Sequence, residues 1–337
     1  MGEYAVTDGL PAYALAVDRF AEVSLSACSN DQAGLRAPQV WPEIIGFQVD
    51  DDDRVLDWDS GSDGWSQLGW TAGLIDRLIE VLAPARLAPF QLQIDTSSLF
   101  IEHDDEHSKL GLGSSSAIAV GLFRVLAGVF GMRDLRPEGL LSTLLRVYQA
   151  AQQGQGSGID LATSIHGGLI EFSNQQGETR VRSRDWPDGL LVDFAWTGRP
   201  ASTPKLLLCY RQWQQDRPDQ AERWHQTASS LLNDGAAALS SGDTDKLVGV
   251  LGEYGRGMST IGGWMGVDLT SDVHLRIMHQ AERMGLAAKP SGAGVGDLAL
   301  IAGTCAEAMA AMRDWLASEN ILRVEMHPAS AGASLDG

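Results

Sequence analysis

The feature that most narrows the possible folds is a set of three short segments in which glycine alternates with other residues. Each lies where the apolar pattern changes its period. The first, Lys109-Leu110-Gly111-Leu112-Gly113-Ser114-Ser115-Ser116-Ala117, leads into Ile118, Leu122, Val125 and Val129, the stripe of an amphipathic helix. The second, Gly154-Gln155-Gly156-Ser157-Gly158-Ile159-Asp160, follows one helical stretch and opens toward another. The third, Lys289-Pro290-Ser291-Gly292-Ala293-Gly294-Val295-Gly296-Asp297, precedes an apolar strand over 297–302. Glycine lets main-chain N–H groups approach an anion closely. Where such a loop opens a helix, the unsatisfied first-turn donors and the positive end of the dipole add to the effect.

Each segment also has an ordinary explanation. Ser114, Ser115 and Ser116 could simply cap a helix, although their hydroxyls suit a phosphate or Mg2+ equally well. Asp160 could sit in a first helical turn for the dipole alone, or face a ligand and take a proton from a hydroxyl nucleophile. The third segment could be a tight helix-to-strand connection, but one glycine usually suffices there. The first segment matches neither GxxxxGK[ST] nor GxGxxG.

Around these segments the first hundred residues read as strands over 12–17, 20–26, 44–49, 54–58 and 91–94, with a helix over 68–82. The four aspartates 50–53 read as a solvated hairpin turn rather than a cation site. Helices follow over 114–130 and 140–152, and strands over 168–172 and 190–196. The rest is mostly helical, over about 218–240, 243–258, 271–285 and 306–318, with a closing strand over 321–326. The class is α+β. A polar stretch with Pro and Gly at 185–189 divides the 337 residues into expected domains 1–188 and 189–337.

Charge sharpens the picture. There are 25 Lys and Arg against 44 Asp and Glu, a formal net charge of −19. A nucleic-acid partner is therefore not expected. With 44% hydrophobic and 20% charged residues the chain can still fill a core. Cys28, Cys209 and Cys305 are too few and too scattered for a disulfide framework or a zinc cluster. No run of about 18 apolar residues and no leader pattern occurs, so a cytoplasmic chain without a membrane partner is expected. Oligomeric state is not legible. An anion site in so acidic a chain needs local positive charge, and Lys109, Lys289, Arg199 and Lys205 all lie beside or between the glycine segments.

Residues 111–117 resemble the GLGSSAA phosphate loop of the GHMP small-molecule kinases. Residues 156–162, GSGIDLA, resemble that superfamily's Asp-bearing motif, and residues 289–297 its C-terminal glycine motif. Two further stretches are similar to the phosphomevalonate kinase branch: Gly2-Glu3-Tyr4-Ala5-Val6 with Gly9, Pro11 and Ala12, and Trp196-Thr197-Gly198-Arg199-Pro200-Ala201-Ser202-Thr203. The resemblance implies a two-domain fold, an N-terminal domain like the second domain of ribosomal protein S5 and a ferredoxin-like C-terminal domain. It also implies ATP-dependent phosphorylation of a small, already anionic acceptor, with 5-phosphomevalonate foremost. Gly111, Leu112, Gly113, Ser114, Ser115 and Ser116 would hold the nucleotide phosphates, and Ser115 would ligate Mg2+. Asp160 would act as base, with Lys109 as a second catalytic group. Glu3, Tyr4, Ser157, Gly158, Ser202, Thr203, Gly292, Ala293 and Gly294 would line the acceptor side.

Two departures accompany the resemblance. Relatives carry a strand with an APGK-type lysine before GEYAV, and this sequence begins inside that motif, so a start further upstream is expected. Mevalonate kinases also place a metal-binding Glu eleven residues before the Asp, where this chain has Gln149. A kinase of another small alcohol, or a nucleotide-binding relative with impaired catalysis, therefore stands as the alternative.

Overall fold

Leu68, Ala72, Leu74, Ile75, Leu78, Ile79 and Leu82 recur at helical spacing, and all are buried along one helix, Trp65–Leu82. The computed structural model describes residues 1–49, 56–103, 106–132, 136–151, 156–175, 177–201 and 203–335. The aspartates 50–53, Gly154 and Ser202 lie outside the described residues. In chain order the elements are β1 (Ala12–Leu15), β2 (Glu22–Ala27), β3 (Gly34–Ala37), β4 (Trp41–Val49), β5 (Leu56–Trp58), α1 (Trp65–Leu82), β6 (Phe90–Asp95), β7 (Phe100–His103) and β8 (Glu106–Lys109). Then come α2 (Ser114–Val129), α3 (Pro137–Ala151), α4 (Ile159–His166), β9 (Leu169–Gln175), β10 (Glu178–Arg184), β11 (Leu191–Trp196), α5 (Thr203–Asp216), α6 (Pro218–Ser241) and α7 (Thr244–Met265). The chain ends with α8 (Asp272–Arg283), β12 (Ala287–Pro290), β13 (Leu298–Gly303), α9 (Ala306–Ser318) and β14 (Arg323–Val324).

The chain forms two units. The first comprises Met1–Asp18, Ile101–Leu112 and Gly168–Ser330; the second comprises Arg19–Phe100, Gly113–Gly167 and Ala331–Gly337. The stretch 185–189 connects β10 to β11 within the first unit.

In the second unit, β2-β6-β3-β4-β5 form a mixed sheet in which β3 and β6 run parallel and the other pairs antiparallel. Helices α1 to α4 belong to the same unit. Helix α2 approaches β2 closely at Gly121, where a Cβ would lie 2.6 Å from a Val23 methyl. The tail beginning at Ala331 packs on the end of α4: the Ala333 N–H donates to Ser164 O at 2.9 Å. A Cβ on Gly332 would fall 2.1 Å from Ile165 O. The helix that carries Asp160 is thus held at its far end by the C-terminus.

In the first unit, β1-β9-β10 form an antiparallel sheet with Ala12 opposite Phe172. A second antiparallel sheet has the order β12-β13-β11-β14. With α8 before β12 and α9 between β13 and β14, this is the β-α-β-β-α-β order of a ferredoxin-like domain, enlarged by α5, α6 and α7. Ile277, Ala281, Met309, Met312 and Leu316 of α8 and α9 pack on Ala288, Ala299 and Ile301 of the sheet. Helix α7 lies close to β12 because Gly255 has no side chain there; a Cβ would meet Ala288 O at 2.8 Å.

Candidate active site

The second-unit residues centre on the start of α2. Gly113 is its N-cap, left-handed at φ 74°, and no side chain caps the helix. The N–H groups of Ser116 and Ala117 bond back to Gly113 O at 2.9 and 3.1 Å. The donors of the first turn ahead of them form a site of the kind that receives an anion. The serine hydroxyls are positioned from α3: Ser115 Oγ lies 2.8 Å from the Tyr148 hydroxyl, and Ser116 Oγ donates to it at 3.2 Å. Tyr148 is 7% exposed, and Trp70 packs edge-on against it. Gln149 follows on the same helix.

Asp160 lies in the first turn of α4, after Gly158 at φ 86° and Ser157, whose Oγ accepts from Ile159 N–H at 3.3 Å. It comes against the loop at Gly113, where a Cβ would stand 3.3 Å from Asp160 Cβ and 3.6 Å from its Oδ2. The side chain reaches solvent yet is crowded by protein, and the lost hydration raises its carboxyl above the usual carboxylate range. Two of the glycine segments, distant in sequence, therefore place a base-like carboxylate beside a helix start.

The first-unit residues begin with Lys109, exposed at the end of β8. Leu110 is fully buried among Phe194, Trp196, Leu298, Val324 and Met326. That burial contributes about 2 kcal/mol and pins the chain just before Gly111. Leu112 is half-buried against the same cluster. Gly111 takes φ 74°, and a Cβ there would lie 2.1 Å from Asp297 Cγ.

The glycines of the third segment divide by what they face. Gly294 and Gly296 are pressed on main chain: a Cβ would lie 2.3 Å from Leu269 O and 2.3 Å from Arg199 O respectively. Gly292 has nothing within 4 Å, so it alone of the three opens to free space. Tyr4, at φ 63°, is 3% exposed and donates its hydroxyl to Ala293 O at 2.5 Å. Glu3 pairs with Lys289, whose Nζ also donates to Pro290 O, both at 2.5 Å. Burial works to raise the Glu3 carboxyl, but the Lys289 ammonium and its hydrogen bond outweigh it and hold the group below its ordinary value. Thr203 and Lys205 are exposed in the first turn of α5, and the Arg199 Nε–H donates to Val295 O at 3.0 Å.

Sequence reasoning did not single out Tyr148, whose hydroxyl binds both loop serines; it reads as one more apolar-face residue of α3. Nor did it give Asp297 a role beyond ending the glycine run, or join Glu3 to Lys289 across the chain. Among the described residues no three His, Cys, Asp or Glu gather as a metal site, and no helix is long and apolar enough to cross a membrane.

Comparison with known proteins gives a consistent picture. Residues 74–168 match the family described as GHMP kinases N terminal domain. The chain is 28% identical over 361 aligned positions to a phosphomevalonate kinase of Streptomyces sp. strain CL190, covering 98% of this chain and 95% of that one. Among solved structures it resembles the Lin0012 protein of Listeria innocua with a TM-score of 0.85 at 22% identity, over 97% of this chain and 94% of the other. It also resembles the Streptococcus pneumoniae phosphomevalonate kinase in complex with phosphomevalonate and AMPPNP, with a TM-score of 0.76 at 16% identity, over 97% and 96%. The two structural likenesses establish the fold.

Proposed function

We propose, on the premise that the chain belongs to the GHMP kinase superfamily, that it transfers the γ-phosphoryl group of ATP to a small, already anionic acceptor, and that this acceptor is 5-phosphomevalonate, whose 5-phosphate becomes a diphosphate. The observation that carries the reading is the closeness of the Asp160 side chain to Gly113 at the uncapped start of α2, where an added Cβ would stand 3.6 Å from Oδ2. It gives one place where a phosphate can be held and a proton taken from the attacking acceptor oxygen.

The triphosphate lies along residues 111–116, with the first-turn N–H groups of α2 donating to it. An oxygen of the acceptor's 5-phosphate forms the new bond to the γ-phosphorus as the bond from that phosphorus to the β–γ bridging oxygen breaks, so that the acceptor becomes a diphosphate. ADP leaves, and Asp160 orients the attacking phosphate oxygen and takes the proton that the singly protonated acceptor phosphate carries. A raised carboxyl pKa brings the base closer to the operating pH and favours that transfer. Lys109 offers positive charge to the transferring or acceptor phosphate. Glu3, Tyr4, Ser157, Gly158, Ser202, Thr203, Gly292, Ala293 and Gly294 belong to the acceptor side; the Tyr4 hydroxyl and Glu3 Oε1 are already engaged by Ala293 O and Lys289, while Glu3 Oε2 has no hydrogen-bond partner among the described residues.

The residues fit a divalent cation held mainly by the nucleotide. Ser115 supplies a hydroxyl whose proton Tyr148 can accept, leaving an oxygen lone pair for the cation, and Gln149 adds no charge. When bound, Mg2+ would neutralise charge developing on the β- and γ-phosphate oxygens.

The test is ADP release measured with ATP, Mg2+ and a panel of small alcohols and phosphorylated alcohols. Turnover highest with 5-phosphomevalonate is expected. Turnover only with an unphosphorylated alcohol overturns the acceptor assignment, and ATP binding without turnover of any acceptor overturns the kinase reading.

A further inference from the structure

Asp297 is a carboxylate that the proposed reaction leaves unused, yet it is built firmly into the loop system. It is 9% exposed and takes φ 59°, a left-handed conformation that asparagine and aspartate tolerate better than other side chains. Its N–H donates to Arg199 O at 2.8 Å, and its carbonyl accepts from Thr197 N at 3.0 Å and Thr197 Oγ1 at 2.8 Å. Its Oδ1 accepts from the Ala201 N–H at 2.9 Å. The other carboxylate oxygen is turned to the phosphate loop: a Cβ on Gly111 would lie 2.2 Å from Oδ2. One side chain therefore joins the segment 197–201 and the third glycine segment to the first glycine of the loop 111–116.

Such a placement is costly for an anion-binding loop. The Ala201 amide needs an acceptor here but not a charge; a neutral amide of the same size would bond it and fill the same space beside Gly111. Burial raises the Asp297 carboxyl, and what opposes that is the Ala201 amide, a neutral donor. Among the described residues no cation acts on this carboxylate, so a cation arriving with the ligand would meet an unbalanced negative charge.

We propose that Asp297 is a specificity-determining residue that makes the 111–116 loop accept nucleotide as its divalent-cation complex and reject the free polyanion. This rests on the kinase reading. A phosphate oxygen bound at Gly111 would stand roughly 5–8 Å from Oδ2, where the repulsion between unit charges, at an effective dielectric constant of about 30–50 for a solvent-reached loop, changes an equilibrium on the order of tenfold. A divalent cation carried by the nucleotide would cancel most of that repulsion. A loop built from N–H donors alone would bind the more highly charged free nucleotide at least as well.

The test is calorimetric binding of ATP, with excess Mg2+ and with a chelator, to the wild-type protein and to Asp297→Asn. Asparagine keeps the acceptor for Ala201 N–H and tolerates the left-handed backbone while removing the charge. Asp297→Ser, a shorter neutral acceptor, serves as the second variant, and a thermal melt of each confirms folding. The wild type is expected to bind the Mg2+ complex more tightly than free ATP. The neutral variants should bind free ATP on the order of tenfold more tightly than the wild type, and the complex within about twofold. An unchanged ratio of the two affinities, or equal weakening of both, overturns the proposal while leaving the kinase reading intact. A wild type that binds neither form overturns the kinase reading and the proposal with it.

Discussion

Replacing Glu3 by Gln should destabilise the first unit by an amount that the geometry of Lys289 sets. The Lys289 side chain is 3% exposed and that of Glu3 is 15% exposed, with 2.5 Å between the charged atoms. Taking away one member of a pair this well buried leaves the other uncompensated, at a cost of about 3–5 kcal/mol. Lys289 would keep its bond to Pro290 O, which places Glu3→Gln toward the lower end. Lys289→Met strands the carboxylate instead. The double variant removes both charges and should lose less than the two single losses together, by at least about 2 kcal/mol. Urea unfolding followed by tryptophan fluorescence reads this directly. With a slope near 3 kcal/mol per M, the single variants should shift the midpoint by about 1–1.5 M. Because the Glu3 carboxyl is held low in the folded state, its contribution is present above the unfolded value of 4.5 and is lost as pH falls through the lower folded one. Glu3→Gln should remove that acid dependence. Single-variant shifts below about 0.3 M, or strict additivity in the double variant, would refute the reasoning.

Three further outcomes are expected. Asp160→Asn should abolish ADP release while changing ATP affinity less than about threefold by calorimetry, since the base acts on the acceptor; a parallel loss of ATP binding in a folded variant contradicts its role. Gly292→Ala has open space around it and should cost only the left-handed strain, about 1–2 kcal/mol, whereas Gly294→Ala drives a Cβ to 2.3 Å from Leu269 O and should cost clearly more; equal melting temperatures would contradict the division of the loop into packed and open glycines. Burial lowers the pKa of His274 from 6.5 to about 4, so the folded state binds fewer protons than the unfolded chain between those values. Stability should fall by about 3 kcal/mol as pH drops across that window, and His274→Gln should flatten the fall in pH-dependent urea titrations.

Where the sequence carried periodicity, it carried the fold. Helices α1, α2, α6 and α9 begin and end within a few residues of the expected spans because their apolar stripes bury one face. Helix α5 was not expected: it is largely polar outside Leu206, Leu207, Tyr210 and Trp213, and buries only that seam. Strand β10, with exposed and half-buried residues alternating, and the four-residue β3 and β12 gave too little pattern to notice. For the candidate site, local chemistry was legible and pairing was not. The uncapped helix at Gly113 and the first-turn Asp160 follow from short motifs. That Gly294 and Gly296 are glycines for main-chain packing, while Gly292 is open, depends on Leu269 and Arg199, which no spacing rule connects to them. Lys289 next to a glycine run suggested an anion-binding cation, but its charge is taken up by Glu3, 286 positions away in sequence.

The most direct test of phosphoryl transfer to a phosphorylated alcohol is a phosphorus NMR time course on the protein with ATP, Mg2+ and 5-phosphomevalonate. The expected result is loss of the γ-phosphate signal, growth of ADP, and conversion of the acceptor's monophosphate signal into a coupled pair from a new diphosphate. An unchanged acceptor signal, with ATP either intact or yielding only inorganic phosphate, would contradict it.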